Sequence, residues 1–366
     1  MDSGADPSHS AAPKNPAQDG AAPDITVEIL RGAPSTEQHE ALTELARAAE
    51  EADGNPPFSE QTLIELSKAL EHDAGSAPLS IAYAWTGAAG AEERGLLAGA
   101  GVVVLGEGQE EAEAPDVLEM VVRPDCRQQG IGGLLAAALA EETLSPAAGR
   151  PLRAWAHGEH EAAQRLAARF SWAPVRELWR MRLSAVDEMS ASEIPSADLP
   201  EGVEIRPFRP GQDEEAWLRV NAAAFADHPE QGRLTLEDLQ ARMAEDWFDP
   251  AGFLLAWEAS ESGEESLLGF HWTKVHQPEE SEQDSGGQAG AHETVGEVYV
   301  VGVAPEAQGR GLGRSLTLAG IEHLHRQGLS AIMLYVDADN TPAVALYRKL
   351  GFTRWDVDTQ FAPAEG

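Results

Sequence analysis

The segment Gln308 to Arg314 (QGRGLGR) carries the clearest chemical signal in the sequence. Glycines at alternate positions keep side chains away and let successive backbone N–H groups approach an anion. A helix starting there adds the partial positive charge of its N-terminus. The segment therefore reads as a pyrophosphate cradle formed by Gln308, Gly309, Arg310, Gly311, Leu312, Gly313 and Arg314. Its spacing matches neither a Walker loop nor the G-x-G-x-x-G of a dinucleotide fold, which argues against a GTPase or a dehydrogenase. A turn made by glycines alone is the plainer alternative, and the flanking elements decide between the two.

A cradle of this kind needs a strand to deliver the chain and a helix to carry it away. Glu297 to Val303 (EVYVVGV) is β-branched and aromatic, as a strand would be, and Leu312, Leu316 and Ala319 recur at helical intervals after the glycines. Ala331 to Val336 (AIMLYV) reads as a further buried strand. Asn340 can cap the next helix, with Pro342 in its first turn and Gly351 at its end. This half of the chain is mixed α/β.

The unit has an earlier counterpart. VVRPDCRQQGIGGLL (Val121 to Leu135) aligns with GVAPEAQGRGLGRSL (Gly302 to Leu316), bringing Pro124, Gly130 and Gly132 onto Pro305, Gly311 and Gly313. In both places an apolar strand-like run precedes the loop and a helical pattern follows it, as duplication followed by divergence would leave them.

Length and composition agree with two units. The chain of 366 residues exceeds one ordinary core, and about 150 residues per domain predicts two. Ser184 to Gly202 (SAVDEMSASEIPSADLPEG) has linker composition, dividing an N-terminal domain (25–183) from a C-terminal one (203–366). Residues 1–24 open with neither a basic nor an apolar run and read as a disordered tail rather than a signal peptide. The acidic segments 107–115 and 276–293 read as surface loops.

Lys plus Arg total 26 against 62 Asp plus Glu, a formal net charge of −36. A field of that sign excludes non-specific binding to nucleic acid and adhesion to acidic membranes. The longest apolar run, Gly95 to Gly106, falls short of the roughly 20 residues that span a bilayer. A single cysteine, Cys126, excludes a disulfide framework and a Cys-rich zinc site. The expectation is a soluble, cytoplasmic, monomeric protein.

With its flanks included, the pattern V-x-V-x-P, then Q-x-x-G-x-G at a helix start, then a downstream Asn, a Tyr and a Gly-Phe pair resembles the GNAT acetyltransferase superfamily. The residues that carry it are Val301 to Val303, Pro305, Gln308, Gly311, Gly313, Asn340, Tyr347, Gly351 and Phe352. EVYVVGVAPEAQGRGLGRSLTL, LLGFHWTKVH, FADHPEQG, DWFDP and LYVDADNTPAVALYRKLGFT together resemble the mycothiol synthase family of actinobacteria.

The resemblance implies an α/β fold of two tandem GNAT-like domains, each a mixed, mostly antiparallel sheet flanked by helices. It implies acetyl-CoA as donor and, as acceptor, the amine of the small thiol precursor cysteinyl-glucosaminyl-inositol, acetylated to give mycothiol. The donor would lie along Val301, Gly302 and Val303, over the cradle, and against Asn340, Thr341, Pro342, Ala343, Val344 and Ala345. A second set of the same kind is Met120, Val121, Val122, Gln128, Gln129, Gly130, Ile131, Gly132 and Gly133. Glu60, Glu230, Lys274, Glu297 and Tyr335 fall on the family's acceptor-binding positions. Since Glu60 belongs to the first half, the acceptor site would lie between the halves.

Transfer from a thioester to an amine needs the amine unprotonated, the oxyanion held and a proton delivered to the departing thiolate. Glu297, at the start of the strand that enters the cradle, is the expected base, acting through a water. Tyr347 is the expected acid, because a phenol can protonate a developing thiolate. On residue type alone, Glu297 could be an ordinary strand-end carboxylate and Tyr347 a core aromatic. His228, His271 and His276 repeat no ligand spacing, so no metal is expected, and they read as structural or substrate-edge side chains. Trp247 and Phe248 read as a packed aromatic helix end.

In the first half, AAQRLAARFSW (Ala162 to Trp172) stands where PAVALYRKLGF (Pro342 to Phe352) stands in the second, so Ala167 replaces Tyr347 and Ser171 replaces Gly351. Gln129 also replaces Arg310. A methyl group cannot protonate a thiolate, so the first half is expected to act as scaffold and one wall of the acceptor cleft. Competing readings are a GNAT enzyme for another small amine or a peptide amine, a CoA-sensing protein without turnover, and a purely structural tandem domain.

Overall fold

The computed structural model describes residues 24–71, 77–87, 95–106, 115–143, 151–184, 186, 194–226, 231–260, 263–276 and 294–364. Apart from Asp24, the expected N-terminal tail lies outside these residues, as do 107–114 and 277–293 of the two acidic segments. The first half comprises β1 (Ile25–Arg31), α1 (Thr36–Asp53), α2 (Glu60–Glu71), β2 (Leu79–Thr86), β3 (Leu97–Val104), β4 (Asp116–Val122), α3 (Ile131–Thr143), β5 (Leu152–Ala156), α4 (Glu161–Arg169) and β6 (Trp172–Ser184). The second comprises β7 (Val203–Pro207), α5 (Glu214–Ala224), α6 (Leu236–Ala244), β8 (Phe253–Ala259), β9 (Glu265–His276), β10 (Val295–Val303), α7 (Leu312–Arg326), β11 (Ala331–Asp337), α8 (Thr341–Lys349) and β12 (Thr353–Pro363). His276 is thus the last residue of a strand rather than the first of a loop.

The strands form one sheet in the order β1-β2-β3-β4-β5-β12-β6-β11-β10-β9-β8-β7. Only the β4–β5 and β10–β11 ladders are parallel. The halves exchange their last strands: β12, from the C-terminal end, lies between β5 and β6, and β6 in turn pairs with β11. Segment 184–202 therefore separates the halves in sequence but not in the sheet. In the exchanged arrangement both edges of β6 and of β12 are paired, which satisfies their N–H and C=O groups. The segment itself is anchored, with Val186 and Ile194 buried in the core formed by Met181, Ile321, Leu334 and Phe352.

Local signals set the helix boundaries. Ser35 and Gln38 form a capping box on α1, which Gly54 ends in the left-handed conformation, and Thr235 with Asp238 caps α6 in the same way. The second half is held by an aromatic core in which the fully buried Trp217 meets Phe253, Phe270 and Trp272 at centroid distances of 5.3 to 5.9 Å.

The sheet opens at two points. β10 pairs with β11 only from Val295 to Val298, ending at the Val298–Leu334 pair. Beyond a bulge between Val298 and Val300, β10 stays with β9 while Tyr335 to Asp337 of β11 follow β6. The bulge adds twist, and the two strands diverge into a wedge with one edge of Tyr299 to Val303 unpaired. The first half repeats the divergence: β4 pairs with β5 from Asp116 to Glu119, and Met120 to Val122 remain with β3 alone, without a bulge.

Candidate active site

The cradle lies where β10 leaves the wedge and α7 begins. A short 3₁₀ turn at Pro305–Ala307 leads to Gly309 and Gly311, both left-handed at φ 77° and 82°. Gly311 occupies the N-cap of α7, and no side chain caps the first turn, so its N–H groups keep no side-chain acceptor. A Cβ on Gly311 would meet nothing within 4 Å, so glycine is favoured there by backbone conformation and not by space. Leu312 is buried, and Gly313 lies over Val303. Arg314 is exposed, whereas Arg310 is drawn aside into an ion pair with Glu258 at 2.5 Å. Across the wedge, Asn340 caps α8 by accepting from the Ala343 N–H at 3.2 Å, leaving Thr341, Pro342 and Ala345 exposed and Val344 buried.

Glu297 and Tyr347 approach the wedge from opposite faces of the sheet. Tyr347 packs with Val298, Leu334 and Val336, the side chains at the last β10–β11 pair and just beyond it. Because strand side chains alternate, Glu297 projects from the other face. Tyr347 is buried beside Phe352, at a centroid distance of 5.8 Å, and its hydroxyl has no hydrogen-bond partner among the described residues. Burial pushes its phenol up to about 12. Glu297 is 5 % exposed, and its Oε2 lies 2.6 Å from His276 Nε2.

Lys274 stands directly across from Glu297 on β9 and reaches the other half of the chain. Its Nζ donates to Glu60 Oε1 at 2.8 Å, and the second Glu60 oxygen accepts from the Tyr299 hydroxyl. Arg242 Nε donates to that hydroxyl at 3.0 Å, and the same guanidinium donates to Gln61 at 2.9 Å. Burial alone would raise the Glu60 carboxyl, but the Lys274 ammonium, hydrogen bonds from Lys274 and Tyr299, and the Arg242 charge hold it below the usual carboxylate range. Burial and the neighbouring Glu60 push the Tyr299 phenol well above its ordinary range. The Lys274 ammonium also sits 4.5 Å from the Trp247 ring. Trp247 packs on Trp272 and Tyr299, as a packed aromatic end would.

Tyr335 faces the same cleft from β11. Burial and the Glu297 charge raise its phenol, while the Arg180 charge and a hydrogen bond donated by Arg180 oppose them. Arg180, directly across on β6, also donates to Asn55 and to Asp356 at 2.5 Å. Glu60, Lys274, Glu297 and Tyr335 thus come together between α2 and the sheet of the second half. Glu230 and His228 lie outside the described residues. His271 is buried against Leu316 O at 2.7 Å, and the described residues contain no group of three or more potential metal ligands.

The first wedge has a different interior. α4 buries no residue, and Ala167 stands at the Tyr347 position, although Ser171 adopts φ 59° where Gly351 adopts 95°. Glu119, at the last β4–β5 pair, is fully buried and saturated by the Ser59 N–H, the Ser59 hydroxyl and His157 at 2.7 Å. Gly130 is left-handed like Gly311, and α3 follows it with Ile131 buried. Gln128 holds φ 63°, and the exposed Gln129 side chain turns toward Asp125 O at 3.5 Å. Gly132 lies over Val122 and Leu166, and a Cβ on Gly133 would come 3.1 Å from the Arg169 guanidinium.

Several side chains of the cleft escape sequence reasoning. Tyr299 follows Glu297 by two on the same strand, a period-2 signal, but the bulge governs its aim. Arg242, Arg180, Asn55 and Asp356 meet only through the exchanged strands and the approach of α2, which no local pattern encodes. His276 carries one local signal, its place two residues beyond Lys274 on one strand face.

An open wedge beside a glycine cradle at a helix start, present twice in one sheet, defines an acyltransferase of the GNAT class. The Acetyltransferase (GNAT) family matches residues 217–352. The fold is similar to that of a GCN5-related N-acetyltransferase from Sphaerobacter thermophilus, with a TM-score of 0.58 and 23 % identity over 93 % of this chain and 96 % of that one. It is also similar to a tandem GNAT protein from the clavulanic acid biosynthesis pathway, with a TM-score of 0.60 and 17 % identity over 93 % of this chain and 100 % of that one. The mycothiol acetyltransferase of Arthrobacter sp. (strain FB24) is 51 % identical over 92 % of this chain and 96 % of its own length. That of Paenarthrobacter aurescens (strain TC1) is 53 % identical over 92 % and 95 %. The chain belongs to the mycothiol acetyltransferase family.

Proposed function

We propose that the protein transfers the acetyl group of acetyl-CoA to the cysteinyl amine of cysteinyl-glucosaminyl-inositol, forming mycothiol. The observation that carries this reading is the cleft itself, in which Glu60 of the first half and Lys274, Glu297 and Tyr335 of the second converge beside the β10–β11 wedge. A cationic amine carrying many hydroxyls needs carboxylates, an ammonium and a phenol, and these are what the cleft offers.

The acetyl-CoA pyrophosphate binds the N–H groups of the α7 cradle, and the pantetheine takes the unpaired edge of Val301 to Val303 along the wedge. The thioester then lies between the faces that carry Glu297 and Tyr347. Glu297 accepts a proton from the acceptor ammonium through a water, the freed amine attacks the carbonyl, and Tyr347 donates to the departing thiolate. Burial keeps the Tyr347 phenol protonated at neutral pH, so it can hydrogen-bond the sulfur and pass its proton as negative charge develops there. The first half acts as scaffold and cleft wall, since Ala167 supplies no acid and Glu119 is already saturated. We further propose that the enzyme works as a cytoplasmic monomer, because one chain supplies both walls of the cleft. Competition between the cysteinyl acceptor and simple amines or aminoglycosides tests the acceptor reading. Suppression of the other acetylations by the cysteinyl acceptor is expected, and equal use of all amines contradicts it.

A further inference from the structure

We infer that His276 carries the proton taken up by Glu297 out to solvent, acting through that carboxylate without touching the substrate. The inference rests on the proposed role of Glu297 and extends it. Glu297 is 5 % exposed, so a proton that it accepts has no direct way into bulk water. The groups facing it are Lys274 and His276 on β9 and Tyr335 on β11, with Arg180 of β6 behind Tyr335. Lys274 is committed to Glu60, and Tyr335 to Arg180. His276 is the one described residue that hydrogen-bonds Glu297, at 2.6 Å through Nε2. Its side chain is 38 % exposed, and Nδ1 has no partner among the described residues. One ring nitrogen thus meets the buried carboxylate while the other has no partner among the described residues on a side chain 38 % exposed, the arrangement a two-ended proton carrier requires.

The acceptor nitrogen loses two protons in becoming an amide as the N–C bond forms and the C–S bond breaks. The first passes to Glu297, then to His276 Nε2, and an equivalent proton leaves Nδ1 for solvent. The second restores the phenol of Tyr347 after that residue has protonated the CoA thiolate. One proton is released per turnover.

The test compares His276→Gln and His276→Ala with the unaltered enzyme. Glutamine can hold the carboxylate by a hydrogen bond but cannot carry a proton near neutral pH. Both variants are expected to lose kcat by roughly 100-fold with the KM for acetyl-CoA unchanged and the pH profile of kcat altered, and added imidazole is expected to restore turnover to His276→Ala. Full activity in His276→Gln with an unshifted profile overturns the relay and leaves only a positioning contact. The unaltered enzyme's turnover of the cysteinyl acceptor reports on the acceptor reading by itself.

Discussion

Lys274 Nζ lies 2.8 Å from Glu60 Oε1, joining a strand of the second half to the first residue of a helix in the first. The same lysine stands across the β9–β10 ladder from Glu297. One side chain therefore couples the first half to the strand position of Glu297 in the second, and the proposed acceptor site lies where the two halves meet.

Removing the Glu60 charge tests that coupling. Glu60→Gln is expected to raise the KM for the cysteinyl acceptor by roughly 10-fold or more, the loss of charged hydrogen bonds, while the KM for acetyl-CoA stays within about twofold. Steady-state kinetics with each substrate varied in turn separates the two. The folded Glu60 carboxyl lies below its ordinary 4.5. Its contribution to stability is therefore present above that value and lost as pH falls through the lower folded value. Acid unfolding of Glu60→Gln should accordingly be less steep than that of the unaltered protein.

Tyr347→Phe keeps the ring against Phe352 and removes only the hydroxyl. A kcat lower by about 100-fold or more is expected with little change in either KM. Because burial holds the phenol near 12, Tyr347 should contribute no alkaline decline in kcat at moderately basic pH. A pH–rate profile from neutral to basic pH checks this, and a Tyr347-dependent decline there would count against its role as acid.

What the sequence made legible follows how local each feature is. The second cradle was readable because Gly309 and Gly311 need left-handed backbone and α7 starts at once, all within a few residues. The strand read as Glu297 to Val303 is observed as Val295–Val303, and the one read as Ala331 to Val336 as Ala331–Asp337. Period-2 patterning in buried strands fixes existence better than ends. The strand exchange was not readable, since whether β12 pairs with β5 or stays in its own half depends on contacts far apart in the chain. The division at 184–202 followed composition, and composition cannot report that Val186 and Ile194 pack into the core. Residue type and spacing give His276 no more than a structural or substrate-edge role, and the β9–β10 register is what brings it to Glu297.

His157 ties the exchanged strand to the first half. Its Nε2 lies 2.7 Å from Glu119, and its Nδ1 lies 3.2 Å from Asp358 on β12. Burial alone would lower its pKa, but hydrogen bonds and charges from Asp358 and Glu119 raise it to about 10. The imidazolium therefore stabilises the fold fully below about 6.5, and that contribution fades as pH rises through about 10. His157→Gln is expected to lose roughly 3 kcal/mol or more at neutral pH and to flatten this alkaline loss. Urea unfolding across pH measures both.

The two cradles are expected to differ in consequence. Gly311→Ala forces a side chain into φ 82° at the α7 start, at a cost of roughly 1–2 kcal/mol, and should raise the acetyl-CoA KM sharply. Gly130→Ala imposes the same strain at φ 85° in the first half but should leave kcat within about threefold. An equal fall in kcat/KM for acetyl-CoA in both variants would contradict a single working half.

The most direct measurement is incubation of the purified protein with acetyl-CoA and cysteinyl-glucosaminyl-inositol, following free CoA thiol together with product mass. The account predicts one CoA thiol released per acceptor gaining one acetyl group on its cysteinyl nitrogen, and loss of that signal in Glu297→Gln combined with Tyr347→Phe. Absence of product at millimolar acceptor while other amines are acetylated, or full turnover by the double variant, would contradict it.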